Sequence, residues 1–202
     1  MTTVVDRANA VFRRVPTWPL YILCIAPAVW LFWQGINGAL GANPVKALEH
    51  QYGELGLKFL IATLCITPLR RFAGINLLKF RRMLGLVTFF YIGAHLLVWL
   101  VLDVQAIGQI WADIIKRPYI TVGMVGFAAM VPLAVTSNNR SIRALGAKWR
   151  KLHQLTYLAA ILGAVHFVML AKGWQIEPLA YLATVLALLL MRWKPKRRAK
   201  LA

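Results

Sequence analysis

Three histidines lie inside or at the ends of long apolar runs: His95, His153 and His166. An imidazole among apolar side chains needs a partner, which can be an interhelical hydrogen bond, a proton relay or a metal ion. The stretch WRKLHQLTYLAAILGAVHF, residues 149–167, carries two of these histidines thirteen positions apart. A lone histidine of this kind favours a simple hydrogen bond, whereas two histidines at one depth on different helices favour a shared ligand.

The elements that must hold these histidines are membrane helices. The chain has 202 residues, is 60% hydrophobic and has a mean hydropathy of +0.63. A soluble domain of this length cannot bury so much apolar surface, so a bilayer is the expected solvent. The sequence predicts a single all-α integral membrane domain over residues 1–202, a bundle of six helices. The expected spans are 18–36, 52–69, 84–102, 119–135, 152–170 and 178–193.

Charge predicts the orientation of this bundle. The net charge is +18, and the basic residues form short clusters between apolar runs, which is typical of membrane topology rather than of nucleic-acid binding. With the N-terminus in the cytoplasm, nineteen Lys and Arg residues lie on the cytoplasmic side and five on the other. Both termini are therefore expected in the cytoplasm. The first apolar run is interpreted as an uncleaved helix, and Cys24 and Cys65 have no metal-binding spacing.

Spans 84–102 and 152–170 run in the same direction, and a rise of ~1.5 Å per residue places His95 and His166 at similar depths. Two imidazoles can occupy both axial positions of a haem iron, which leaves no position for a substrate and suits electron transfer. The sequence therefore predicts a haem between His95 and His166, in the outer half of the bilayer.

A second site is expected near the cytoplasmic side. Arg81 precedes His95 by fourteen residues, so it faces nearly the same way at the level of His153. The site would be either a second haem with His153 as one ligand or the entry point for quinol or flavin. Arg81 would pair with a haem propionate or another anion; alternatively, Arg81 only sets topology. On an ideal helix His153 and His166 point about 140° apart. Both can face one neighbour only if the helix is distorted, for which Gly163 is a candidate.

Charged residues on the outer side complete the picture. His50 is expected to be solvated in the first outer loop, and Glu54 and Lys58 are spaced for an ion pair within one helix. Asp103 and Asp113 flank the second outer loop, either as solvated charges or to orient a docked partner. The chain has no nucleotide-binding motif, so electrons must come from a membrane donor or a separate protein.

The stretches RRMLGLVTFFYIGAHLLVW (81–99) and WRKLHQLTYLAAILGAVHF (149–167), with the TPLRR end of the second span and the basic tail, resemble the MsrQ family, formerly YedZ. These are the haem-binding membrane subunits of bacterial MsrPQ methionine sulfoxide reductase systems, within the ferric reductase-like transmembrane superfamily. The resemblance implies haem b and FMN as cofactors and His95, His153 and His166 as ligands of haem iron. That superfamily commonly has a second histidine where this chain has Arg81.

The resemblance also implies a function. The chain would be a multi-pass subunit of the bacterial inner membrane that passes electrons from the quinone pool to a periplasmic, MsrP-like molybdopterin enzyme. That partner would repair oxidised methionine in periplasmic proteins, and this chain would have no substrate chemistry of its own. Two alternatives remain open: a self-contained transmembrane ferric or quinone reductase, and a transporter whose histidines relay protons without haem.

Overall fold

The computed structural model describes residues 3–171 and 175–192, and within those ranges the chain forms helices and no strands. The predicted end of the last span at 193 and the basic tail lie outside the described residues. In chain order the α-helices are α1 Val4–Arg14, α2 Trp18–Ile36, α3 Pro44–Phe72, α4 Arg81–Leu97, α5 Ile107–Lys116, α6 Pro118–Val135, α7 Asn139–Leu145, α8 Ala147–Leu152, α9 Leu155–Leu170 and α10 Ile176–Leu190. A 3₁₀ turn, Leu78–Phe80, precedes α4, and a π-helical segment, Val98–Val104, follows it.

Within the described ranges, five helical segments are long and apolar enough to cross a membrane, which confirms the all-helical prediction. They are Trp18–Ile36, Pro44–Phe72, Leu78–Val104, Pro118–Val135 and Ala147–Leu170. The sixth predicted span corresponds to α10, an apolar helix of only fifteen residues. A sixth crossing and the cytoplasmic position of both termini therefore stay predictions.

Helix α3 begins eight residues earlier than the predicted span, so the interpretation of His50 as a loop residue is wrong. Asn43 caps the helix by accepting a hydrogen bond from the Lys46 amide at 3.1 Å, and Pro44 occupies the first turn. Asn followed by Pro is a strong signal for a helix start. The charged residues of the first turns lower the local hydropathy, so hydropathy alone does not predict this start. His50 is exposed, as expected, but it lies on the helix.

The distortion of the fifth span lies at His153, not at Gly163. Helix α8 ends at Leu152, His153 and Gln154 form a turn, and α9 begins at Leu155. Gly163 lies inside regular α9. Because the turn interrupts the helical rotation, the 140° separation of an ideal helix does not apply to His153 and His166.

Four helices surround the interior: α3 packs along α4, and α6 packs along α9. Helix α2 covers α3 and α4, while α10 covers α9 and α3. We call the end where α4 and α9 begin the basic end, because most Arg and Lys residues lie there. The opposite end carries the starts of α3 and α6 together with five of the six acidic residues.

An arginine side chain replaces a missing backbone hydrogen bond in α3 near the basic end. Pro68 lies inside this helix and has no amide hydrogen, so the Leu64 carbonyl four residues earlier loses its normal partner. The Nη2 group of Arg192, just beyond α10, donates a hydrogen bond to this carbonyl. The same guanidinium lies over the ring of Tyr157 on α9, 5.5 Å from its centre. Arg192 thus joins α3, α9 and the end of α10.

Candidate functional site

His95 on α4 and His166 on α9 face each other across the bundle, as the depth argument predicts. Their ring centres are 6.2 Å apart and their planes are inclined by 79°. Both rings line one cavity of about 160 Å³ between α3, α4, α6 and α9. The structure therefore brings this pair together, while His153 lies elsewhere.

Hydrogen bonds to backbone carbonyls define the tautomer of both rings. The Nδ1 atom of His95 lies 2.8 Å from the Glu49 carbonyl oxygen, and that of His166 lies 2.7 Å from the Tyr119 carbonyl oxygen. A carbonyl can only accept, so each Nδ1 must carry a hydrogen. The Nε2 lone pair of each neutral ring is then free to bind a metal ion, and the carbonyl holds the ring in orientation.

A glycine lies beneath each imidazole. A Cβ atom on Gly53 would come 3.1 Å from Nδ1 of His95, and one on Gly123 would come 2.8 Å from Nδ1 of His166. Each glycine follows the residue that supplies the carbonyl by four positions, so one helical turn provides both the hydrogen bond and the space for the ring. The two helix pairs α3–α4 and α6–α9 therefore hold their histidines in the same way.

Neither glycine is among the site residues predicted from the sequence. The signal that reveals them is the pair of motifs GELG at 53–56 and GMVG at 123–126, which lie seventy positions apart. His95 and His166 are separated by seventy-one. Few other residues match between the two segments, so the relation does not show as a sequence repeat.

The donor set fits an iron with two axial imidazoles. An imidazole nitrogen lies about 2 Å from a bound metal ion, so two rings on opposite sides of one ion have centres roughly 6 Å apart. No cluster of three or more His, Cys, Asp or Glu occurs in the described parts of the chain, so a macrocycle would have to supply the other ligands. The volume of the cavity is below the roughly 300–1,000 Å³ that is typical of small-molecule sites. The side chains that line it must therefore move apart to admit a macrocycle.

Ion pairs surround the mouth of this cavity at the opposite end. Lys46 contacts Asp103 at 2.7 Å and Glu49 at 3.5 Å, which ties the end of the π-helical segment to the start of α3. The expected pair of Glu54 and Lys58 is confirmed at 2.5 Å.

Asp103 and Asp113, which are expected to be solvated charges, are partly exposed and each lie beside a basic side chain. Asp103 pairs with Lys46, and Asp113 lies 3.4 Å from Arg117. Both aspartates thus have a basic partner within this chain: Lys46 and Asp103 join two helical segments, whereas Asp113 and Arg117 lie one turn apart at the end of α5.

His153 and Arg81 line a second cavity, of about 520 Å³, at the basic end. The ring of His153 stacks on Trp149 with 3.8 Å between centres, and its Nε2 lies 3.1 Å from the Thr136 hydroxyl. That hydroxyl donates to the Pro132 carbonyl at 2.6 Å, so it accepts from Nε2–H of His153. In contrast to the other two histidines, His153 has its Nε2 occupied. The prediction that it binds iron stays a prediction.

The second cavity is strongly basic. Its lining includes four cationic side chains and no carboxylate among the residues that the structure describes. The cations are Lys79, Arg81, Arg82 and Arg150. Asp6, the acidic residue that is not at the opposite end, lies on α1 and is bound to Thr3. The arrangement favours a ligand with negative charge.

A thin apolar wall separates the two cavities. Three side chains line both of them: Leu60 on α3, Met130 on α6 and Ala159 on α9. Beside them Phe89, which lines the second cavity, stacks on Phe127, which lines the first, with 5.5 Å between centres and 9° between planes. Groups bound in the two cavities would be separated by one layer of side chains.

Known proteins resemble most of this chain. Residues 51–164 match the family described as ferric reductase-like transmembrane component, a match that includes His95 and His153 and ends two residues before His166. Proteins from Brucella ovis, Brucella canis and Brucella suis, each named protein-methionine-sulfoxide reductase heme-binding subunit MsrQ, are 51% identical over 176 residues. These alignments cover 87% of this chain and 80% of each relative. No solved structure matches the chain.

Proposed function

This chain belongs to the ferric reductase-like transmembrane family and, within it, to the MsrQ heme-binding subunits, and from that membership we propose that it carries electrons through haem b to a periplasmic reductase. In this proposal it is a multi-pass protein of the bacterial inner membrane. The partner is an MsrP-like molybdopterin enzyme that reduces methionine sulfoxide, and the donor is quinol.

The observation that carries the proposal is the pair of imidazoles 6.2 Å apart with both Nε2 lone pairs free. When bound, haem iron supplies one-electron exchange between its ferric and ferrous states. His95 and His166 would hold the iron, and a second imidazole would take the position that a substrate could otherwise use. Glu49 and Tyr119 hold the rings through their carbonyls, which fixes the orientation of both imidazoles.

The second cavity is proposed as the entry point for electrons. His153 and Arg81 line it at the basic end, and we propose that this end faces the cytoplasm because of its excess of positive charge. It would hold a second haem, FMN or the quinol head group. Quinol releases two electrons and two protons; the electrons leave singly past the Phe89–Phe127 pair. Reduction of methionine sulfoxide consumes two electrons and two protons and yields methionine and water.

The proposed direction of electron transfer, from the basic end to the opposite end, is favoured by the membrane potential in the proposed orientation. An electron that leaves a negative cytoplasm gains about 2.3 kcal/mol per 100 mV over a full crossing. The exit lies at the opposite end, where Arg117 and Tyr119 line the mouth of the first cavity. Helix α5 lies beside this mouth with Trp111 and Ile115 exposed, and we propose this face as the docking surface for the partner.

Haem ligation is tested with three alanine variants of the full-length protein in detergent. His95→Ala and His166→Ala should each lose the low-spin b-type absorption, because either change removes one axial ligand. His50→Ala is the matched control: it removes an exposed histidine from the same mouth and should keep the wild-type spectrum. Full haem content in both ligand variants would show that the pairing is wrong.

Electron delivery is tested by reoxidation. The haem protein is reduced with a quinol analogue and then mixed with methionine sulfoxide, with the MsrP-like partner, or with both. Rapid reoxidation is expected only with both, since the iron has no free coordination position. Rapid reoxidation by sulfoxide alone, or enzyme-like turnover of ferric chelates, would instead support a self-contained reductase. Absence of haem from the purified protein would support the transporter.

A further inference from the structure

We infer that Tyr157, assisted by Arg81 and Arg192, binds the acid group of the ligand in the second cavity, either a carboxylate or a phosphate. The inference rests on the proposed function, because it takes that cavity to hold a redox group. It adds Tyr157 and Arg192, two residues that the histidine motifs do not include.

The hydroxyl of Tyr157 has donors around it but no acceptor. Tyr157 lies on α9 and lines the second cavity. Arg192 donates a hydrogen bond from Nη1 to its oxygen at 3.4 Å, and Arg81 lines the same cavity as Tyr157. An arginine cannot accept a hydrogen bond, so the Tyr157 hydrogen must point to another group. Among the described residues no acceptor for that hydrogen occurs, and the space in front of it is the cavity.

The charges around Tyr157 are also unbalanced. Nε of Arg192 is buried without a partner in the described chain, and no described carboxylate lines the cavity beside Arg81. Asp6 is bound to Thr3, and the other five acidic side chains lie at the opposite end. Buried cations without a counter-charge are costly, so such groups normally pair with an anion. A bound anion would satisfy the phenol hydrogen and balance both guanidinium groups.

The geometry assigns different roles to the three residues. Tyr157 and Arg81 line the cavity and can touch the ligand directly, as a hydroxyl donor and a charged fork suited to carboxylate or phosphate. Arg192 does not line it; it is a positioning residue that occupies the Tyr157 oxygen and so directs the hydroxyl hydrogen toward the ligand. A cavity of about 520 Å³ lies within the range of cofactor sites.

The main test is Tyr157→Phe in the full-length protein, because this change keeps the ring under Arg192 and removes only the hydroxyl. One arm compares binding of flavin mononucleotide and riboflavin, which differ only in the phosphate, by quenching of flavin fluorescence. The other arm measures haem per chain. Tyr181→Phe is the matched control, since the Tyr181 hydroxyl contacts Glu54 at the opposite end.

If the ligand is a phosphate, Tyr157→Phe should weaken the binding of flavin mononucleotide about tenfold, or by about 1.4 kcal/mol. The affinity for riboflavin should not change. A haem carboxylate predicts instead that haem per chain falls while the low-spin signal of the His95–His166 pair remains. Wild-type behaviour in both arms, or equal weakening of both flavins, overturns the inference. The spectra of the His95 variant report separately on the proposed function, since that ligand lies in the other cavity.

Discussion

Replacement of Gly123 by alanine is expected to weaken haem binding more than the same change at Gly53 or Gly93. All three glycines lie inside helices, so each substitution adds one methyl group and leaves the backbone conformation available. What differs is the space in front of the new methyl. The methyl carbon would lie 2.8 Å from the His166 ring at position 123 and 3.1 Å from the His95 ring at position 53. At position 93 it would have no neighbour within 4 Å.

The size of the effect follows from these distances. Ordinary contacts of a Cβ atom begin near 3.4 Å, so the His166 ring must retreat by roughly 0.6 Å and the His95 ring by roughly 0.3 Å. The hydrogen bond from Nδ1 of His166 to the Tyr119 carbonyl oxygen has an N···O distance of 2.7 Å. A retreat of the ring by roughly 0.6 Å would lengthen this distance beyond the normal range for a hydrogen bond. Loss of the group that orients a metal-binding histidine typically weakens metal binding about 10–100-fold.

The assay is a haem titration of each purified variant, followed by low-spin absorption, together with its thermal unfolding temperature. We expect a loss of about 10–100-fold for Gly123→Ala, a smaller loss for Gly53→Ala and none for Gly93→Ala. Gly93→Ala should also gain stability, because alanine favours a helix by up to about 1 kcal/mol over glycine. Equal losses at positions 93 and 123 would refute the reasoning, since helix packing and not the imidazole would then be responsible. So would wild-type affinity in Gly123→Ala.

Two further predictions concern residues outside the histidine pair. Arg192→Gln should lower the free energy of unfolding by about 1–3 kcal/mol, because the Leu64 carbonyl loses its hydrogen-bond donor. In a Pro68→Ala background the loss should be smaller, since the alanine amide can donate to this carbonyl in place of the arginine. An equal loss in both backgrounds would contradict this account. Phe127→Leu should slow reduction of the His95–His166 haem by a quinol analogue without changing haem content, as followed by stopped-flow absorption; an unchanged rate would exclude the Phe89–Phe127 contact from the path.

The His95–His166 pair was predictable because a helix converts residue number into depth at a fixed rise. Two spans with the same direction and similar starting points must place such residues at one level, whatever the details of packing. The meeting of Arg81 and His153 at one cavity follows from the same argument. The sequence alone could not show which way each ring turns, since the carbonyls of Glu49 and Tyr119 come from other helices.

Other features depend on local geometry that hydropathy does not encode. The turn at His153 lies where the basic stretch of α8 meets the apolar run of α9, with no proline or glycine at the break, so no residue type marks it. The start of α3 was hidden because His50 and the charged residues around it lower the hydropathy of its first turns. Arg192 looked like one more basic residue after the last span, and only the structure shows that it reaches the Leu64 carbonyl.

The repeated glycine and histidine arrangement of the two helix pairs has a consequence for biogenesis. In the proposed site each pair, α3–α4 and α6–α9, contributes one imidazole, so neither half of the chain could retain a bis-histidine haem by itself. The first pair leaves the ribosome well before the second, and cofactor insertion must wait until both are in the bilayer. Ligand binding to the assembled state alone stabilises that state by mass action. We therefore expect haem supply to act as a quality-control signal, with chains made under haem limitation degraded faster than loaded ones.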